Sequence, residues 1–145
     1  MSYFPMLSIN ERDIQFILAE RNIELPFNLN EIEQILKTAT PSDMAWETAI
    51  MIIEDGISPL QNITENTQLW LQGADLGSTL SKLATEQGFI SAEQIETAFA
   101  VTAGLRINRE LPDLPQTRYF CALILLLREW VHHLQVDKIL LKVTQ

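Results

Sequence analysis

The sequence predicts an all-α protein: an orthogonal bundle of six or seven short helices around a central apolar C-terminal helix at 116–134. Three observations lead there. Helix-capping residues recur about every 15–20 positions along the chain. Apolar residues follow most of them at helical spacing. Near the C-terminus, Tyr119–Leu127 is apolar all round, which suits a helix enclosed by others.

Taken in order, Ser8 and Glu11 have capping-box spacing and open a segment with Ile14, Ile17 and Leu18 on one face, ending near Asn22. Asn28 and Glu31 repeat the pattern ahead of Leu29, Ile32, Ile35 and Leu36. Thr40-Pro41-Ser42-Asp43 is a third start: threonine caps, proline takes the first helical position, and aspartate faces the positive end of the helix dipole. That helix carries Trp46, Ala49, Ile50 and Ile53 and stops at Gly56, with Met51 and Ile52 widening its apolar face.

A loop at 57–62 precedes a short helix at 64–72 that places Leu69 and Trp70 inward. A further helix over 77–87 ends at Gly88. Ser91, with Gln94 in the box position, caps the next, which carries Ile95, Ala98 and Phe99 and stops at Gly104. Residues 105–115 hold two prolines and no clear period. The last helix opens near Pro115 or Gln116. A buried strand is the alternative for Tyr119–Leu127, but four leucines and an alanine favour helix, and Trp130, Val131 and Leu134 continue its face. Val136, Ile139, Leu140 and Val143 extend it or form a short final helix.

Leu80, Gly88, Ile95 and Phe99 stand at positions of the R-L-G-x-x-L-x-x-x-G…L…L…Q motif, and Leu80–Thr102 thereby resembles one half of the cyclic di-GMP-binding N-terminal domain of pilus and secretion ATPases. Thr79, Ser81, Ala84 and Thr102 replace the motif's arginine, first glycine, second leucine and glutamine. The resemblance therefore implies a helix–glycine–helix unit and transfers no nucleotide-binding residue.

The 145 residues favour one domain, and 47% apolar against 20% charged residues is the balance of a folded soluble protein rather than a disordered one. A net charge of −9 removes the main driving force for binding nucleic acid and counts against anionic membranes. The charge is uneven: residues 1–100 hold 15 acids and 4 bases, and residues 101–145 hold 4 acids and 6 bases. No stretch approaches the roughly 20 apolar residues of a membrane-spanning helix, and the N-terminus does not read as a signal peptide. The lone Cys121 sits in an apolar run and reads as an inert thiol, which fits a cytoplasmic protein.

Chemistry-bearing patterns are sparse. His132 and His133 are adjacent, so on a helix they diverge and cannot both ligate one ion; one surface and one half-buried histidine is the simpler reading. Glu31 with Glu33 and Glu54 with Asp55 are close acidic pairs at helix ends. The second pair lies near a helix C-terminus, where the dipole disfavours anions and a cation or partner would be welcome. The glycines are scattered singly, with no phosphate-binding loop. No catalytic, metal-binding or cofactor-binding residues are predicted. The expected function is a non-catalytic protein–protein interaction module, an adaptor, assembly factor or regulatory subunit. A small-ligand sensor and an enzyme with a site of scattered acids and a histidine are the alternatives. The expected partner is another protein, a second copy included. Its candidate contacts are Arg106, Arg109, Leu111 and Leu114 in the irregular segment, and Trp70 on the shortest helix.

Overall fold

The computed structural model of the chain describes residues 5–63, 67–85, 88–105 and 114–142. It overturns the all-α expectation: the described residues form a six-stranded mixed sheet together with helices.

The first departure is at the N-terminus. The chain makes a hairpin of β1 (Met6–Ile9) and β2 (Ile14–Ile17), to which β3 (Asn22–Glu24) adds antiparallel. The buried positions alternate, Leu7 and Ile9 on β1, Ile14 and Phe16 on β2, which is the period of a strand. Ser8 lies on β1 opposite Gln15 and Glu11 sits inside the turn, so the pair opens no helix. The Asn10 backbone N–H donates to the Asp13 carbonyl at 3.0 Å, and Asn10 Nδ2 donates to Asp13 Oδ1 at 3.0 Å. Residues that cap helices also close turns, because both uses rest on a short polar side chain reaching nearby backbone.

The next two helices form where the sequence places them. In α1 (Leu29–Leu36), Asn28 Oδ1 accepts from the Glu31 N–H at 2.8 Å. In α2 (Asp43–Ile57) the cap is Ser42 rather than Thr40, its Oγ accepting from the Ala45 N–H at 3.1 Å. Gly56 is no stop. It lies inside α2, where an added Cβ would sit 2.5 Å from Phe27 Cε1, so glycine is there to admit the ring. Met51, expected on a buried face, is 64% exposed.

The helix expected over 64–72 is a strand, β4 (Gln68–Gln72), and Trp70 lies within it. Then come α3 (Leu76–Leu80), a 3-10 turn at Ser81–Leu83, β5 (Phe89–Ser91) and α4 (Ala92–Thr102). The Ser91–Gln94 capping box is present in full. Because β5 intervenes, Leu80–Thr102 is not the plain helix–glycine–helix unit that the motif implied; Gly88 supplies a left-handed turn, φ +85°, into β5. Thr117 caps α5 (Arg118–His133), its Oγ1 accepting from the Phe120 N–H at 3.0 Å. The final segment is again a strand, β6 (Lys138–Leu141), not a helical extension.

The strand order is β3-β2-β1-β4-β6-β5. β1, β4 and β6 run parallel, while β2 and β5 oppose their neighbours. One sheet face carries the register-matched Phe16, Leu7 and Leu71, and Ile90, Ile139 and Leu69, all buried. α5 rests on this face: Trp130 meets Phe16 edge-on at 5.1 Å between ring centres. α1, α2 and α4 flank α5, so every residue from Phe120 to Leu127 is buried. The apolar run is thus a helix, with a sheet on one side where the sequence reading had only helices. The opposite sheet face carries a cross-strand stripe of Ile17, Met6, Trp70, Leu140 and Phe89, all partly exposed. Among the described residues no helix is long and apolar enough to cross a membrane.

Candidate functional site

A crevice of about 950 Å³ opens where β1 and β4 end. Its wall includes Ile9, Asn10 and Glu11 from the end of β1, and Ala74 and Asp75 from just beyond β4. β1 and β4 are parallel neighbours, and the chain moves outward in opposite directions from them, to β2 and β3 on one side and to β6 and β5 on the other. Such a switch point leaves a gap at the carboxyl ends of the strands, which is where open α/β sheets bind ligands.

Helices bring the rest. Leu29, Asn30 and Glu33 come from the first turns of α1, and Thr117 and Tyr119 from the start of α5. The N-termini of both helices therefore face the crevice, and helix N-termini favour anions. Asn28 Nδ2 donates to the Arg12 carbonyl at 3.2 Å, tying the start of α1 to the β1–β2 turn. Asp13 braces that turn; hydrogen bonds from Asn10 and then Gln15 hold its carboxyl below the ordinary value.

Against the helix ends stand three carboxylates, Glu11, Glu33 and Asp75, and none of the residues named along the wall is a lysine, arginine or histidine. Asp75 adopts a left-handed conformation, φ 66°, and its side chain makes no cap bond to α3. That conformation is uncommon outside glycine, and aspartate is one of the residues that tolerate it. Tyr119 lies among these acids. Burial raises its hydroxyl pKa above the usual value, and the charges of Asp75 and Glu33 add to the rise. Arg118 approaches Glu33 at 3.5 Å from the rim.

The residues singled out from sequence fall elsewhere. Arg106, Arg109 and Leu111 lie outside the described residues. Leu114 is partly buried against the core and lines a smaller crevice of about 420 Å³ with Ala39, Val101 and Cys121. Trp70 is partly exposed, at the centre of the apolar stripe on the outer sheet face. Cys121 is buried, and burial pushes its thiol up to about 11. His132 and His133 are one exposed and one partly buried side chain. In the sequence Glu33 stands out only as half of an acidic pair, Glu11 only as a capping-box acid and Tyr119 only as part of the apolar run, while Asp75 does not stand out. The available signal was polar residues directly after short apolar runs, Ile9-Asn10-Glu11 and Leu71-Gln72-Gly73-Ala74-Asp75, readable only once those runs are taken as strands.

No protein-family model matches the chain, and no curated protein matches it. Solved structures do. An Aquifex aeolicus PPX-GPPA enzyme superposes with a TM-score of 0.67 at 10% identity, covering 97% of this chain and 54% of its own. The type II variant of the Aquifex aeolicus Ppx/GppA phosphatase gives 0.69 at 8% identity, with 97% and 54% covered. A third structure, of the Aquifex aeolicus Ppx/GppA family member, gives 0.64 at 9%, with 97% and 53% covered. This chain thus spans about half the length of those structures. The expectation of a non-catalytic adaptor or assembly factor is corrected by this likeness: the fold is an α/β fold found in phosphatases, and at these identities fold is what the likeness shows.

Proposed function

We propose that this chain is one lobe of a phosphatase-like hydrolase, and that it binds a phosphate-bearing ligand together with a divalent cation in the crevice at the ends of β1 and β4. The observation that carries this reading is the juxtaposition of Glu11, Glu33 and Asp75 with the N-termini of α1 and α5 at the switch point of the sheet. Carboxylates alone repel phosphate. Glu11, Glu33 and Asp75 would hold a hard cation such as Mg²⁺, which would offset their charge, and the helix ends would favour the remaining negative charge of the phosphate. A carboxylate left free of the cation can accept a proton from an attacking water. The likeness to phosphatases of about twice this length supports a lobe whose site is completed by further protein.

Thermal unfolding tests this by binding rather than turnover. Pyrophosphate with Mg²⁺ at about ten times its dissociation constant is expected to raise the melting temperature by roughly 3–6 °C. Pyrophosphate alone should have little effect, and Glu33→Gln with Asp75→Asn should abolish the rise. An equal shift in that double variant, or none in the unchanged protein, contradicts the reading.

The partner in this proposal is a protein, a second copy of the chain included, rather than nucleic acid or a lipid surface; the net charge of −9 disfavours both of those. The Ile17–Met6–Trp70–Leu140–Phe89 stripe is the surface for it. Sedimentation equilibrium is expected to show self-association that Trp70→Lys removes; a monomer at every concentration would count against the second copy. A cytoplasmic location belongs to the same reading, supported by the single buried thiol.

A further inference from the structure

At the far end of α5 from the crevice, a second group of side chains converges. Glu54 near the C-terminus of α2 meets Glu129 and His133, which lie four residues apart on one face of α5. One donor atom from each of the three lies within 4.8 Å of the others. His133 Nε2 stands 3.4 Å from Glu54 Oε1 and 3.5 Å from Glu129 Oε1. Ligands bound about 2.0–2.2 Å from a tetrahedral zinc ion are separated by roughly 3.3–3.6 Å, so these spacings are those of ligands around an ion.

Glu129 supplies the independent observation. It is the buried charged residue among the described core, 2% exposed. Arg128 Nη1 donates to its Oε2 at 2.9 Å, whereas Oε1, the atom facing Glu54 and His133, has no hydrogen-bond partner. A buried carboxylate oxygen left unpaired is costly, and a cation in the gap offsets that cost. Glu54 also lies near the negative end of the α2 dipole, a poor position for an acid without a cation. The side chains of Glu54 and His133 remain 43% and 32% exposed, which leaves an ion a route in. Tyr119 of the crevice and Glu129 are ten residues apart on α5, about 15 Å along its axis, so the two sites are separate.

We propose that Glu54, Glu129 and His133 bind a divalent transition-metal ion of the zinc class, pinning the C-terminal end of α2 to that of α5. An imidazole with two carboxylates selects such an ion over Mg²⁺, which prefers oxygen ligands and keeps its waters. The rival occupant is a proton shared by the two carboxylates. This proposal does not rest on the phosphatase reading.

The test uses the chelator-treated full chain and calorimetric titration with Zn²⁺, with Co²⁺ as a visible-absorption probe. One ion per chain is expected, with a rise in melting temperature that Mg²⁺ does not reproduce. Glu54→Gln, Glu129→Gln and His133→Ala should each weaken binding by about tenfold or more. His132→Ala, which removes only the surface partner of Glu96, should leave it unchanged. Should Glu129→Gln misfold, the half-exposed Glu54→Gln still decides. No zinc uptake by the unchanged chain would overturn the site in favour of the shared proton. So would an affinity unmoved by Glu54→Gln, or one lost on His132→Ala.

Discussion

Replacing Trp130 with alanine is expected to destabilise the fold by about 3–5 kcal/mol and to lower the melting temperature by roughly 6–20 °C. Trp130 is 1% exposed and is among the largest fully buried side chains. Its ring meets Phe16 at 69° and 5.1 Å, so the indole joins α5 to β2. The loss combines the transfer of a large ring to water with a cavity that α5 and a six-stranded sheet cannot close by local movement. Chemical denaturation measures it. A double-mutant cycle with Phe16→Leu adds the decisive detail: a coupling of about 0.5–1.5 kcal/mol is expected from the edge-on pair. A coupling near zero would mean that β2 does not lie beneath α5.

The second large effect concerns Gly73, between the end of β4 and the crevice. A Cβ there would lie 2.5 Å from the Ile9 backbone carbonyl oxygen and 2.8 Å from Leu76 Cδ1. The carbonyl belongs to β1 and cannot turn aside as a side chain can, so Gly73→Ala must push β1 and β4 apart. The expected cost is about 1–3 kcal/mol, with loss of the magnesium–pyrophosphate shift as the two strand ends separate. Gly77, four residues on in α3, has nothing within 4 Å of an added Cβ. Gly77→Ala should stabilise by up to about 1 kcal/mol, since alanine is the better helix former, and should leave binding intact. Equal effects at the two positions would refute the close approach at Gly73.

The helices were the legible part of this chain. Asn28 and Ser91 announce α1 and α4 by caps that the structure contains. The leucine content of Tyr119–Leu127 outweighs its few β-branched residues, and α5 follows. The strands were not legible, for a physical reason. Gln68–Gln72 and Lys138–Leu141 are so short that they bury only one or two side chains each, too few to set a period against that of a helix. Their pairing is non-local: Met6 lies beside Trp70, and Leu69 beside Ile139, with no hairpin turn between partners to reveal it. At the β1–β2 hairpin, Ser8 on the strand and Glu11 in the turn happen to have the spacing of a helix start.

The crevice inherits that failure, since Glu11 and Asp75 gain meaning only as residues that follow parallel strands. The zinc-class site was half visible. Acids at the end of α2 stand out as electrostatically misplaced, but their meeting with Glu129 and His133 depends on how α2 packs against α5.

In the proposed function, the carboxyl ends of β1 and β4 hold a cation–phosphate pair. Backbone NMR during titration with magnesium pyrophosphate tests it most directly. The largest shifts are expected on Asn10, Glu11, Asn30, Ala74, Asp75, Thr117 and Tyr119, with residues around Trp70's outer face and around His133 nearly still. Shifts concentrated away from the strand ends, or none at saturating ligand, would contradict it.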